Sequence, residues 1–207
     1  MQEAKDMVEV QLKRRGIKNK YVLDAFESVP RHYFVPNQSR NLAYADIAVP
    51  IGSSQTISQP YIIAKMLELL EITPGDKVLE IGSGSGYVQA LLNTMGCKTY
   101  GVEKVDVLTE KSKKILTSMK LKPRIITKDG SKGLIEYYPY DKVLISAAIP
   151  QVPKEIFDQL SQFAIIVAPI GTRMHQVLTK IKKSQNKITK EEHDKCMFVP
   201  LIGENGF

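Results

Sequence analysis

Residues 78–87 read Val78-Leu79-Glu80-Ile81-Gly82-Ser83-Gly84-Ser85-Gly86-Tyr87. An apolar run breaks into alternating glycines, and a helical pattern follows. Glycine has no Cβ, so it turns the chain tightly and brings main-chain N–H groups close to a ligand. Strand, tight turn and helix in this order form the ligand-binding corner of a parallel α/β sheet. The spacing narrows the choice of ligand. A dinucleotide fingerprint needs G-x-G-x-x-G. Here the third glycine comes one residue early, and Tyr87 stands where the dinucleotide pattern requires glycine. The turn therefore favours S-adenosylmethionine over NAD. That cofactor has no pyrophosphate, and the backbone needs only to pass beneath a sugar and an amino acid.

Outward from this corner a βα rhythm repeats. The pattern predicts strands at 77–81, 98–102, 124–127 and 142–146, with helices at 87–95 and 107–120, the second capped by Asp106. A helix at 154–160 and a buried strand at 164–169 follow. Two further strands, 176–183 and roughly 187–201, have no helix between them, so an antiparallel hairpin is expected at Ser184-Gln185-Asn186. Upstream, Met7, Val8, Val10 and Leu12 suit a helix ended by Gly16. Asn19 caps a second helix through Ser28, stopped by Pro30. Residues 30–58 show no obvious element, and a stretch of that length is more often functional than idle. A helix from 59 to 71 carries Ile62, Ile63, Met66, Leu67 and Leu70 on one face, with Ser58 near its cap. The expected fold is α/β: a Rossmann-like, doubly wound, mostly parallel sheet with antiparallel C-terminal strands and an N-terminal helical extension. One domain spans 1–207, with helices and a substrate loop in 1–58 and the core in 59–207.

Bulk properties bound the function. The 207 residues are 43% hydrophobic, enough for a sizeable core. No apolar stretch is long enough for a membrane span, and the N-terminus lacks a signal-peptide apolar region. Cys97 and Cys196 have no metal spacing and suit a reducing cytoplasm. The formal net charge is +7, but the lysines are dispersed. The densest groups, Lys111/Lys113/Lys114 and Lys180/Lys182/Lys183, read as solvated faces rather than a nucleic-acid surface. His32, His175 and His193 form no metal spacing, and Tyr137-Tyr138 reads as packing.

Three acids stand out. Glu103 closes the second core strand, where a carboxylate accepts from both ribose hydroxyls. Glu80 lies inside the first strand and is costly there unless paired. It either organises the glycine turn or meets the cofactor's ammonium through water. Asp129-Gly130 follows the third strand, where an adenine would lie. Asp129 accepts from the exocyclic amine in that reading, and Gly130 lets a main-chain N–H approach the ring. The bland alternative is an ordinary Asp-Gly turn.

Four separated segments narrow the reading further. Arg31-His32-Tyr33-Phe34-Val35-Pro36, Gly52-Ser53-Ser54-Gln55-Thr56-Ile57-Ser58-Gln59-Pro60-Tyr61, Ser146-Ala147-Ala148-Ile149-Pro150 and Phe198-Val199-Pro200-Leu201-Ile202-Gly203-Glu204 occur in this order. The chain thereby resembles the protein-L-isoaspartate O-methyltransferase family. The resemblance implies transfer of the S-adenosylmethionine methyl to the free α-carboxylate of isoaspartyl residues in damaged proteins, leaving S-adenosylhomocysteine. It implies Ser58 as the active-site serine. It implies cofactor contacts from Gln55, Thr56, Ile57, Ser58, Glu80, Gly82, Ser83, Gly84, Gly86, Glu103, Lys104, Asp129 and Gly130. Isoaspartyl proteins and peptides are the implied partners, with no metal, nucleic acid or membrane. Two departures stand against the family pattern: Lys128 before the adenine-site Asp, and Ser161-Gln162-Phe163 where a glycine-rich turn is usual. The rival readings are a methyltransferase acting on RNA or a metabolite, and a module that binds damaged peptides without turnover.

Overall fold

The computed structural model describes residues 2–185 and 187–207. At the N-terminus, α1 (Gln2–Asp6) runs into a π-helical turn, Met7–Leu12, and a 3₁₀ turn, Lys13–Arg15. Gly16 stops it in the left-handed region at φ +92°. In α2 (Lys20–Ser28) the Asn19 side chain accepts from Val22 N, as the sequence leads one to expect. The stretch 30–58 is not featureless. It holds two 3₁₀ turns, Arg31–Phe34 and Asn37–Leu42, and a hairpin of β1 (Val49–Gly52) and β2 (Gln55–Ile57). Elements of three or four residues are too short to show a period. In α3 (Pro60–Leu69) the cap is Gln59, and Pro60 sits in the first turn, where a missing N–H costs nothing. Ser58 therefore precedes the cap rather than forming it.

The core continues as β3 (Lys77–Ile81), α4 (Tyr87–Thr94), β4 (Lys98–Glu103), α5 (Asp106–Ser118) and β5 (Ile125–Thr127). It ends with β6 (Tyr140–Ile145), α6 (Lys154–Asp158), β7 (Leu160–Gly171), β8 (Gln176–Ser184) and β9 (Lys187–Cys196). The sheet order is β5-β4-β3-β6-β7-β8-β9, with β8 antiparallel to both neighbours and the β3–β7 pairings parallel. From β3 the chain winds outward to β5, then crosses to β6 and winds the other way. The crevice above the C-terminal ends of β3 and β6 is thus the topological switch point, where open α/β sheets bind ligands. Alternate residues of β3 serve opposite faces. Val78 joins a core made with the N-terminal helices, α3 and α4; Leu79 and Ile81 join a second core with Val143, Ile145 and Ile156.

Four local expectations need correction. Val105 caps α5, while Asp106 is its first residue and its carboxylate accepts from Thr127 Oγ1 at 3.0 Å. Lys180 is not on a solvated face: it is 8% exposed and pairs with Glu71. Its long stem lies along the sheet while the charge reaches an anion. Residues 160–163 continue β7 instead of turning, so the departure at Ser161-Gln162-Phe163 is a longer strand. The last strand ends at Cys196, and Pro200 makes only an isolated bridge to Ala148. The hairpin between β8 and β9 forms around Gln185, with Ser184 opposite Lys187; Asn186 lies outside the described residues.

Candidate active site

The turn after β3 is held by its own backbone. Gly82 N and Ser83 N donate to Val102 O at 2.8 and 3.2 Å, and Gly86 N donates to Ser83 O at 2.8 Å. Gly82, Gly84 and Gly86 all lie at positive φ, which explains the alternating glycines. Their surroundings differ. A Cβ on Gly84 would meet Ile51 Cδ1 of the hairpin at 3.4 Å, whereas one on Gly86 would press Ser112 Cβ of α5 at 2.9 Å. Gly84 faces the crevice; Gly86 lets α4 seat against α5.

Glu103 is 7% exposed at the end of β4. Its Oε2 accepts from Gly84 N at 2.8 Å and its Oε1 from Val105 N at 2.9 Å. Two amides fix the carboxylate, and each oxygen keeps a lone pair for another donor. It lines a cleft of about 100 Å³ with Gly82, Gly84, Lys104 and Gly130, roofed by Gln55 and Thr56 and walled by Ala147 and residues 199–202. Gly130 is there for space: a Cβ would lie 2.7 Å from Ile81 Cγ2. Asp129 is placed differently from the sequence reading. Its Oδ1 accepts from Ser131 N and Ser131 Oγ, and its Oδ2 from Glu204 N at 2.9 Å. Burial raises this carboxyl, but those hydrogen bonds outweigh it and hold it below the usual range. The group anchors the C-terminal segment and does not line the cleft.

Glu80 lines a second, smaller cleft with Ser58, Ser83, Ser85, Tyr87 and Ser146. The buried acid is paired, as its cost demands. Oε2 accepts from Gln89 Nε2 at 2.8 Å and Oε1 from Ser146 Oγ at 3.0 Å. Burial pushes its carboxyl up to about 7. Beyond lies a wide cavity, about 600 Å³, between Ser58, Gln59 and Ile62 on one side and residues 174–177 and 195–199 on the other. Thr56 and Ser146 line all three spaces, and Ser58 lines both the large cavity and the Glu80 cleft. The serine thus stands between a deep polar crevice and a wide chamber.

Of the residues singled out from the sequence, Gln55, Thr56, Ile57, Ser58, Glu80, Gly82, Ser83, Gly84, Glu103, Lys104 and Gly130 line these spaces; Gly86 and Asp129 do not. Sequence reasoning assigned no role to Ser146. Its signal was available: it follows β6, the other strand of the switch point.

The donor set fits S-adenosylmethionine: an amide-anchored carboxylate for ribose hydroxyls, a glycine with no room for a side chain beside it, and a paired acid deep in the crevice. A sheet reversing at β3 with this turn defines an S-adenosylmethionine-dependent methyltransferase. The sequence profile described as Protein-L-isoaspartate(D-aspartate) O-methyltransferase matches residues 2–206. The protein-L-isoaspartate O-methyltransferase of Petrotoga mobilis is 47% identical over 99% of this chain and 98% of its own. That of Cytophaga hutchinsonii is 43% identical over 95% and 89%. A Plasmodium falciparum chain described as a protein-L-isoaspartate O-methyltransferase, crystallised with S-adenosyl-L-homocysteine, superposes at TM-score 0.82 with 27% identity, covering 96% of this chain and 97% of its own. The chain belongs to the protein-L-isoaspartate(D-aspartate) O-methyltransferase family. It is an S-adenosylmethionine-dependent protein carboxyl O-methyltransferase, and its reaction methylates the free α-carboxylate of isoaspartyl residues.

Proposed function

We propose that Ser58 orients the isoaspartyl carboxylate, while Glu103, Glu80, Lys104, Gly130 and the turn 82–84 hold the cofactor. The α-carboxylate is ionised at neutral pH, since such groups titrate near ~3.5. No general base is needed. S-adenosylmethionine supplies an electrophilic methyl: an O–CH₃ bond forms, the S–CH₃ bond breaks with its electron pair left on sulfur, and no proton moves. The protein's work is alignment and exclusion of water. The Ser58 hydroxyl donates to one carboxylate oxygen and leaves the other to react. Ile57, Ile62 and Phe198 keep the junction dry. The observation that carries this reading is the position of Ser58: it makes no helix cap, yet lines both the crevice and the wide chamber. Glu103 takes the ribose hydroxyls, and Gly130 admits the adenine edge. Ser58→Ala is expected to lower kcat by roughly 10- to 100-fold, as loss of one orienting bond does, with the melting temperature unchanged. Full turnover in the folded variant would remove the assignment.

The partners are proteins and peptides bearing isoaspartate, held in an extended form across the chamber and read little by side chain. Isoaspartate adds one main-chain methylene, so the normal linkage would misplace its carboxylate. Nucleic acid is not among the partners in this reading. The chain works as one domain in this reading, supported by the core on one face of the sheet, which runs from Met7 through the α3 and α4 residues to Leu178. A cytoplasmic location is supported by Cys97 and Cys196 standing as free thiols, which suits a reducing compartment. Among the described residues no helix is long and apolar enough to cross a membrane.

A further inference from the structure

Within the motif Arg31-His32-Tyr33-Phe34, Arg31 is the largest fully buried side chain among the described residues, at 0% exposure. A buried guanidinium is costly unless its charge and donors are engaged. Among the described residues no carboxylate hydrogen-bonds it. Instead Nε donates to Ala43 O at 2.8 Å and Nη2 donates to Ser58 O at 2.7 Å. These carbonyls are the two feet of the segment that carries the β1–β2 hairpin, one before Val49 and one after Ile57. The Cζ atom sits 4.9 Å from the centre of the Tyr87 ring, and Phe34 of the same 3₁₀ turn packs on that ring at 5.3 Å. Tyr87 is the first residue of α4, directly after the glycine turn. One side chain therefore touches both feet of the hairpin and the element that follows the cofactor turn.

We propose that Arg31 is a positioning residue for methyl transfer: its planar fork closes the feet of the 43–58 segment and fixes Ser58 relative to the glycine turn. The planar, multi-donor fork is what the geometry uses, because two separate nitrogens of one rigid plane, Nε and Nη2, each hold a different carbonyl. Lysine carries the same charge but presents a single point of donation, so it holds one foot and releases the other. Methionine fills a similar volume and holds neither. Among the described residues Nη1 and the Tyr87 hydroxyl make no hydrogen bond of good geometry, so the contribution lies with the Nε and Nη2 bonds and the ring face. Burial pushes Arg31 down to about 10, and it stays charged at neutral pH.

The inference rests on the reading of Ser58 given above, and Ser58→Ala assayed alongside separates the two: full turnover in that variant removes the Ser58 reading, whereas a loss there with unchanged Arg31 variants removes only this proposal. Arg31→Lys and Arg31→Met are compared with wild type for kcat and KM on an isoaspartyl peptide. S-adenosylhomocysteine affinity is read by calorimetry, and folding by near-ultraviolet circular dichroism and melting. The expected result is a graded fall in kcat, about 10-fold for lysine and about 100-fold for methionine, in folded proteins whose S-adenosylhomocysteine Kd stays within about twofold of wild type. A merely structural role would not produce that split. Unchanged kcat in either folded variant overturns the proposal. So does a kcat loss matched by an equal loss of cofactor affinity. Failure of both variants to fold also overturns it, because Arg31 would then be a residue of the core alone. Inactive wild type would instead strike at the functional reading itself.

Discussion

At the scale of single residues, the acids of the crevice divide by what holds them. The setting of Glu103 at the end of β4 was legible from sequence because its partners belong to recognisable patterns: the glycine turn and the residue two further on supply the two backbone N–H groups that hold it. Asp129 was not, because its partner Glu204 lies in the far C-terminal segment, and no local pattern announces so distant a hydrogen bond. The glycines divide likewise. Gly86→Ala places a Cβ at positive φ against Ser112 and is expected to cost about 1–3 kcal/mol of stability in urea unfolding, with S-adenosylhomocysteine affinity retained once folded. Gly130→Ala presses Ile81 beneath the cleft, and there calorimetry should show weaker cofactor binding. Equal effects of the two on affinity would erase the distinction drawn between them.

Glu80 gives a pH signature with a definite sign. Its folded-state carboxyl titrates at about 7 rather than 4.5, so the native protein holds its proton more tightly than the unfolded chain. The associated stability is present below the unfolded value and is lost as pH rises through the folded one. Cofactor-free protein should therefore lose stability between pH 5 and 7.5, by an amount on the order of 1–3 kcal/mol. Glu80→Gln should flatten that part of the profile. A wild-type profile rising over this interval, or a variant profile identical to it, would contradict the assignment.

At the scale of elements, the long βα units were legible and the short ones were not. β3, α4, β4 and α5 each carry enough periodic positions to declare themselves, and their observed bounds fall within two residues of the sequence reading. The hairpin at Val49–Gly52 and Gln55–Ile57 escaped because strands of three or four residues have no period, and its turn uses positive φ at Ser53 and Ser54 as well as Gly52. The helix boundary at Ser58 shifted because proline in the first turn relaxes the demand for a side-chain cap. The C-terminal segment belongs to the same scale. Asp129 receives Ser131 and Glu204, and Ser131 Oγ accepts from Asn205 N at 3.1 Å. Asp129→Ala should accelerate amide exchange at Glu204 and Asn205 and lower stability by about 1–3 kcal/mol. Unaltered exchange there would show that the carboxylate is not the anchor.

For the molecule as a whole, the sheet order decides where chemistry happens. Hydrophobic patterning implied parallel strands under helices, but patterning is silent on which strand starts the winding. That information resides in pairings such as Leu79 with both Tyr100 and Val143. The same pairings bring Ser146 beside Gly82 and Glu80. The N-terminal helices share a core with α3 and α4, so the segment bearing Ser58 is mounted on a frame continuous with the cofactor turn. The measurement that bears most directly on the account is transfer of labelled methyl from S-adenosylmethionine to a short isoaspartyl peptide, with the aspartyl peptide of the same sequence as its pair. The account predicts base-labile methyl ester on the isoaspartyl peptide and none above background on its counterpart. Equal labelling of the two, or none on either by folded protein, would contradict it.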